Sequence, residues 1–203
     1  MGTYLNGKFG TGARWAMALA ALILLPVYFV PVLPVWAIYL KAPQYSEGLT
    51  LWIYANTLGG NLQQVNTLNH YVGMKTIRAS DFREFALLPV LLTAFGGWAA
   101  LAAAWGKRWF AILGWALFSL IATCLLADFG FWLWHYGHDL DPRAPLKLGA
   151  FSPPLIGYRR MGNFHVASWP AWGGLLLLIA GGLGPLIGLF EGYRARAHRR
   201  RSA

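Results

Sequence analysis

The run WFAILGWALFSLIATCLLADFGFW, residues 109–132, decides how this chain is read. It holds 24 residues with one ionisable carboxylate, Asp128, near its far end. A membrane-spanning helix needs roughly 20 mainly apolar residues, so this run predicts a spanning helix. Immediately before it, Gly106-Lys107-Arg108 forms a basic turn, and before that Phe85 to Trp105 is a second run of the same kind. Two further apolar runs, about 15–35 and about 172–193, complete the set. The first contains Pro26, Pro31 and Pro34, which are tolerable in lipid only if the freed carbonyls find partners.

The expected fold class is therefore an all-α membrane protein, one membrane domain over residues 1–203. Its four transmembrane helices lie at about 15–35, 85–105, 109–132 and 172–193. Composition agrees: the chain is 57% hydrophobic and 12% charged, with 11 Trp, against about 25% charged in soluble domains. The net charge of +10 is not laid out for nucleic acid, since most basic residues flank apolar runs or crowd into the tail Arg194 to Arg201. Helix-end anchors account for them. The apolar run after Lys8 and Arg14 has no convincing small-residue cleavage site behind it and reads as a retained helix.

Four spans would leave two long segments on one side, about 36–84 and 133–171. The short segments opposite hold 9 of the 17 Lys and Arg. The positive-inside rule then puts both termini in the cytoplasm and the long segments outside, in the periplasm of a Gram-negative inner membrane. Trp36 to Leu40 and Leu49 to Tyr54 flank a turn and predict a short β-hairpin within this periplasmic cap. The second long segment, rich in Pro, Gly and aromatics, reads as a structured loop.

Four of the five histidines, His70, His135, His138 and His165, fall in the two long segments. His198 belongs to the basic tail. His70 and Met74 are four apart, as are Met161 and His165, so each pair would share a helix face. His135 and His138 are three apart. Imidazole with thioether suits copper, especially Cu(I), and Asp139 and Asp141 are placed to fix a histidine tautomer or to turn the chain. The plainer alternative is that methionine fills core gaps, and Gly73 and Gly162 weaken the helices this spacing needs. For Asp128, an interfacial salt bridge to Arg83 or Arg159 is the simpler reading beside a proton path. Cys124, the single cysteine, excludes an internal disulfide and any multi-cysteine metal site. There is no phosphate-binding glycine loop, serine nucleophile motif or Cys-X-X-Cys-His haem site in the sequence.

Two stretches carry a resemblance. LNHYVGMK, residues 68–75, and YGHDLDP, residues 136–142, continued by PPLIGY at 153–158, resemble motifs of a poorly characterised bacterial polytopic membrane-protein family. Similar proteins are commonly encoded beside nitrous oxide reductase maturation and copper-handling components. The resemblance covers about half the chain and carries over Asn69, His70, Met74, His138 and Asp141; the family pattern has no counterpart of His135 or His165. It implies a membrane accessory protein that binds copper through His70, Met74 and His138 at its periplasmic face and assists assembly or stability of a copper enzyme. The alternatives are a non-catalytic subunit of a respiratory or copper mono-oxygenase complex, and a quinone- or haem-linked redox protein. The partners implied are lipid and other membrane-protein subunits, with no nucleic acid.

Overall fold

The computed structural model describes residues 7–29, 33–147 and 149–201. It corrects the expected class. The described chain is α+β, 57% helix and 19% strand, with five α-helices and a five-stranded antiparallel sheet. The element order is α1 (Thr11–Phe29), β1 (Trp36–Ala42), β2 (Tyr45–Ile53), β3 (Leu58–Gly60), α2 (Leu62–Val72), a 3-10 turn (Ala79–Asp81), α3 (Glu84–Trp105), α4 (Arg108–His138), β4 (Gly157–Met161), β5 (Phe164–Pro170) and α5 (Trp172–Arg201).

Among the described residues, two of the four expected spans meet the requirement. The helices α3 and α4 are long and apolar enough to cross a membrane, whereas Thr11–Leu25 and Trp172–Ile187 are shorter apolar stretches. The first expected span stops early because α1 ends at Phe29, and Val35 already donates to Ile53 O in the sheet at 2.7 Å. A residue before proline is driven out of helical conformation, which suits the approach to Pro34; Pro31 lies outside the described residues. A core helix of a soluble domain can be equally apolar, but it is covered. Only 6% of the most apolar stretch of α4 and 17% of that of α3 are buried, a surface that calls for lipid or a partner.

The chain divides into two compact units. One comprises residues 31–89 and 123–175, and the other residues 1–30, 90–122 and 176–203. The first holds the sheet, in the order β3-β2-β1-β5-β4. β1 and β2 form a hairpin around Pro43-Gln44, and β1 pairs on its other side with β5, Leu40 opposite Val166. The sheet has one covered face. Leu49, Leu51, Phe164, Val166 and Ser168 are buried, alternating with exposed Tyr39 and Trp169, the period of two expected of a half-buried antiparallel sheet. Against this face α2 lays Val65, Leu68 and Val72, all packed with Leu49 and Phe164. A hydrogen-bonded chain pins β5 within the sheet: the Trp36 indole donates to Ser168 Oγ at 2.7 Å, which donates to Leu155 O at 2.9 Å.

The segment expected as a structured loop is a second hairpin, β4–β5. Its two-residue connection is Gly162-Asn163, between the paired Met161 and Phe164. Gly162 has φ +56° and no non-glycine residue among those described has positive φ, the pattern of a type II′ turn.

In the other unit, Phe9, Ala13, Met17 and Ala102 form a small core with Trp98 and Phe110 packed against it. Residues 7–9 lie along the α3–α4 turn, with Phe9 N donating to Gly106 O at 2.7 Å and Arg108 N to Gly7 O at 3.2 Å.

Candidate functional site

The two sequence motifs meet in the sheet-containing unit, and their joint is built from the end of α2. This helix closes with Gly73 at φ +83°. Gly73 N donates to His70 O at 3.4 Å and Met74 N to Asn69 O at 2.8 Å, which is the Schellman arrangement of a helix C-terminus. Met74, just past the glycine, is half-buried and packs against the cluster containing Leu68, the apolar contact that accompanies this cap. Beyond it, the Asn66 side chain brackets Ile77 with hydrogen bonds of 2.8 and 3.0 Å, and Asn69, itself buried, donates to Lys75 O at 3.4 Å.

The cap presents free carbonyls to the second motif. Gly73 O accepts from Asp141 N at 2.8 Å and Tyr71 O from Leu146 N at 3.0 Å. The Lys75 ammonium pairs with the Asp139 carboxylate; this cation holds the Asp139 carboxyl below the usual carboxylate range. His135 Nε2 is also 3.8 Å from that carboxylate. Asp141 turns the chain, its Oδ1 accepting from Arg143 N at 2.8 Å. Gly137 admits a backbone crossing on α4: Phe151 N donates to Gly137 O at 3.0 Å, and a Cβ on Gly137 would sit 1.6 Å from Phe151 O.

Each expected ligand now has a place. His70 is exposed on the last turn of α2. Met74 lies beyond the helix end, so the one-turn spacing expected of His70 and Met74 does not hold. His138 is exposed at the end of α4, stacked on Trp134 with ring centroids 4.6 Å apart. Its Nδ1 lies 2.8 Å from Trp134 O. A carbonyl can only accept, so in the neutral ring the proton sits on Nδ1 and the Nε2 lone pair is free. His135 stacks on Phe131 and faces Asp139.

Met161 and His165 are separated. The pairing of Met161 with Phe164 and of Arg160 with His165 puts the thioether and the imidazole on opposite faces of the sheet, so the shared helix face expected for them is overturned. His165 is aligned with Lys41 on one neighbouring strand and Arg160 on the other, and its Nδ1 is bonded to the Tyr158 hydroxyl. Two flanking cations make this a poor seat for a metal ion. Among the described residues there is no group of three His, Cys, Asp or Glu side chains positioned around one point.

Asp128 also differs from expectation. Its carboxyl is hydrogen-bonded to that of Glu84, whose Oε2 has no hydrogen-bond partner among the described residues, while the Arg159 guanidinium donates to Ser152 O at 3.0 Å. The roles of Gly73, Gly137 and Lys75 escaped the sequence reading. A signal existed in the first case, since glycine directly after an apolar helical stripe marks a C-terminal cap.

Compared with known proteins, the chain matches no family model, no curated protein and no solved structure.

Proposed function

We propose that this is a membrane-associated accessory protein that holds Cu(I) on the joint between its two motifs and assists a copper enzyme. The supporting observation is His138: the Trp134 carbonyl accepts from its Nδ1–H, which leaves Nε2 of this exposed ring with the lone pair a metal would need. Orientation of a ligating imidazole through its other nitrogen is the common arrangement in metal sites. His70, three residues before Gly73, stands on the segment hydrogen-bonded to the one that follows His138. Both imidazoles are exposed, as release to an acceptor requires. Met74 supplies the soft thioether preferred by Cu(I), on leaving its half-buried position. The resemblance of both motifs to a family associated with copper-enzyme maturation points the same way.

In this reading the basic turn at Lys107 and Arg108 faces the cytoplasm and the His138 end of α4 faces the periplasm, by the positive-inside rule. A 31-residue helix rises about 46 Å at 1.5 Å per residue, more than the roughly 30 Å of a bilayer's hydrocarbon.

The test is the metal content of protein purified in mild detergent from copper-supplemented cells. Near-stoichiometric copper that falls at least fivefold in both His70→Ala and His138→Ala supports the proposal; wild type without copper sinks it. A second reading, a non-catalytic subunit of a membrane complex, is favoured by the bare apolar surface of α4. Stoichiometric co-purification with catalytic subunits, without copper, would select it.

A further inference from the structure

The unit formed by residues 1–30, 90–122 and 176–203 has a feature the copper reading does not use. It carries a partly open apolar cavity of about 260 Å³, lined among others by Phe9, Met17, Ala99, Trp98, Trp115 and Gly184. Two indoles form part of its wall, and glycines seat them: a Cβ on Gly114 would lie 2.5 Å from Trp98 Nε1, and one on Gly184 2.2 Å from Trp115 Cδ1. Both indole donors are engaged, Trp98 with Phe110 O at 3.0 Å and Trp115 with Gly181 O at 2.7 Å. The wall therefore presents hydrocarbon and π-surface, with these donors already spent. Its volume lies just below the roughly 300 Å³ at which drug-sized pockets begin. An aliphatic chain fits this chemistry; a polar ring does not.

The segment that contributes Phe9 to this wall is cationic. Lys8, beside the cavity-lining Phe9, forms an antiparallel bridge with Lys107, and Lys107 O accepts from the N–H of cavity-lining Ala111 at 3.3 Å. Both lysines are exposed. Directly opposed like charges are destabilising, and an anion between them removes the repulsion. Nearby, Arg14 donates to Ala103 O and Ala104 O at 2.7 and 2.8 Å, and Arg108 stands 5.6 Å from the Phe9 ring centroid. In sequence this unit holds nine Lys and Arg against Glu191 alone.

We propose that the cavity and the Lys8–Lys107 pair together form a site for one anionic phospholipid, with acyl chain in the cavity and phosphate between the two ammonium groups. Hydrophobic burial would hold the chain, and paired charge would select the head group. The inference is independent of copper binding.

The test follows thermal unfolding of the delipidated full chain in mild detergent, with phosphatidylglycerol, phosphatidylcholine or inorganic phosphate added. Phosphatidylglycerol should raise Tm more than phosphatidylcholine, and inorganic phosphate should have little effect. The surface double variant Lys8→Gln/Lys107→Gln should lose that preference, whereas cavity-filling Ala99→Phe should blunt the response to both lipids. Equal shifts from the two lipids in wild type, an undiminished preference in the lysine variant, or the full shift from inorganic phosphate would each overturn the site.

Discussion

The carbonyl of Gly73 accepts a hydrogen bond from the backbone N–H of Asp141, 2.8 Å away, and so ties residues 68–75 to residues 136–142. Because the contact is made by backbone, it depends on where the chain runs more than on which side chains surround it. The left-handed glycine that ends α2 exposes this carbonyl, and the Lys75–Asp139 ion pair flanks it.

Gly73→Ala should be strongly destabilising. The substitution places a Cβ 2.9 Å from both Asp141 O and Ala144 Cβ at φ +83°. Left-handed strain costs of order 1–3 kcal/mol, and the clash with the second motif adds to it. A clear fall in Tm, together with earlier protease cleavage between residues 139 and 147, is the expected result.

Two glycines of α4 should respond in opposite ways. Gly137→Ala drives a Cβ to 1.6 Å from Phe151 O and should displace residues 149–152, with a large loss of stability. Gly130 has nothing within 4 Å of its would-be Cβ, so Gly130→Ala should be neutral or stabilising by up to about 1 kcal/mol. Paired thermal melts check both.

Removing the hydroxyl of Ser168 should cost more than its size suggests. Ser168→Ala leaves the Trp36 N–H and Leu155 O without this partner, and a buried orphaned group costs roughly 1–3 kcal/mol. Chemical denaturation should register that loss, and Ser168→Thr should restore part of it only where its extra methyl is accommodated.

Much of this was readable locally. The helix α3 starts and stops within one residue of the apolar run 85–105, and the β1–β2 hairpin joins the two expected runs, although β2 begins at Tyr45, inside the stretch 43–48 expected as the turn. What local pattern could not provide is the β1–β5 pairing, because Trp36 and Pro170 are 134 positions apart and no periodicity links them. The Met161–His165 spacing misled for a different reason. Four residues fit one helical turn, but Gly162-Asn163 between two β-prone runs is a hairpin signal, and the turn chemistry prevailed. The length of α4 was also understated, since Trp132 to His138 continues the helix through residues that a hydropathy limit cuts off. The candidate ligands His70, Met74 and His138 were chosen as residue types and spacings alone. The tautomer of His138 and the joint at Gly73 needed three dimensions.

Asp139 gives a pH dependence. Its folded carboxyl titrates below its ordinary value of 3.8 because of Lys75, so the pair's contribution is present above that value. It declines as pH falls below 3.8 and is gone once the lower folded value is passed. The pair is exposed, so the effect should be small and salt-sensitive. The Tm difference between wild type and Asp139→Asn should be modest at pH 7, shrink at high salt, and shrink again as pH is lowered below 3.8.

The most direct test is Cu(I) affinity, measured by competition with a chromophoric chelator for wild type, His70→Ala, His138→Ala and the double variant. One shared site predicts that each single substitution weakens binding at least tenfold and that the double variant loses little more. No competition by wild type, or losses that simply add, would contradict a copper site joining the two motifs.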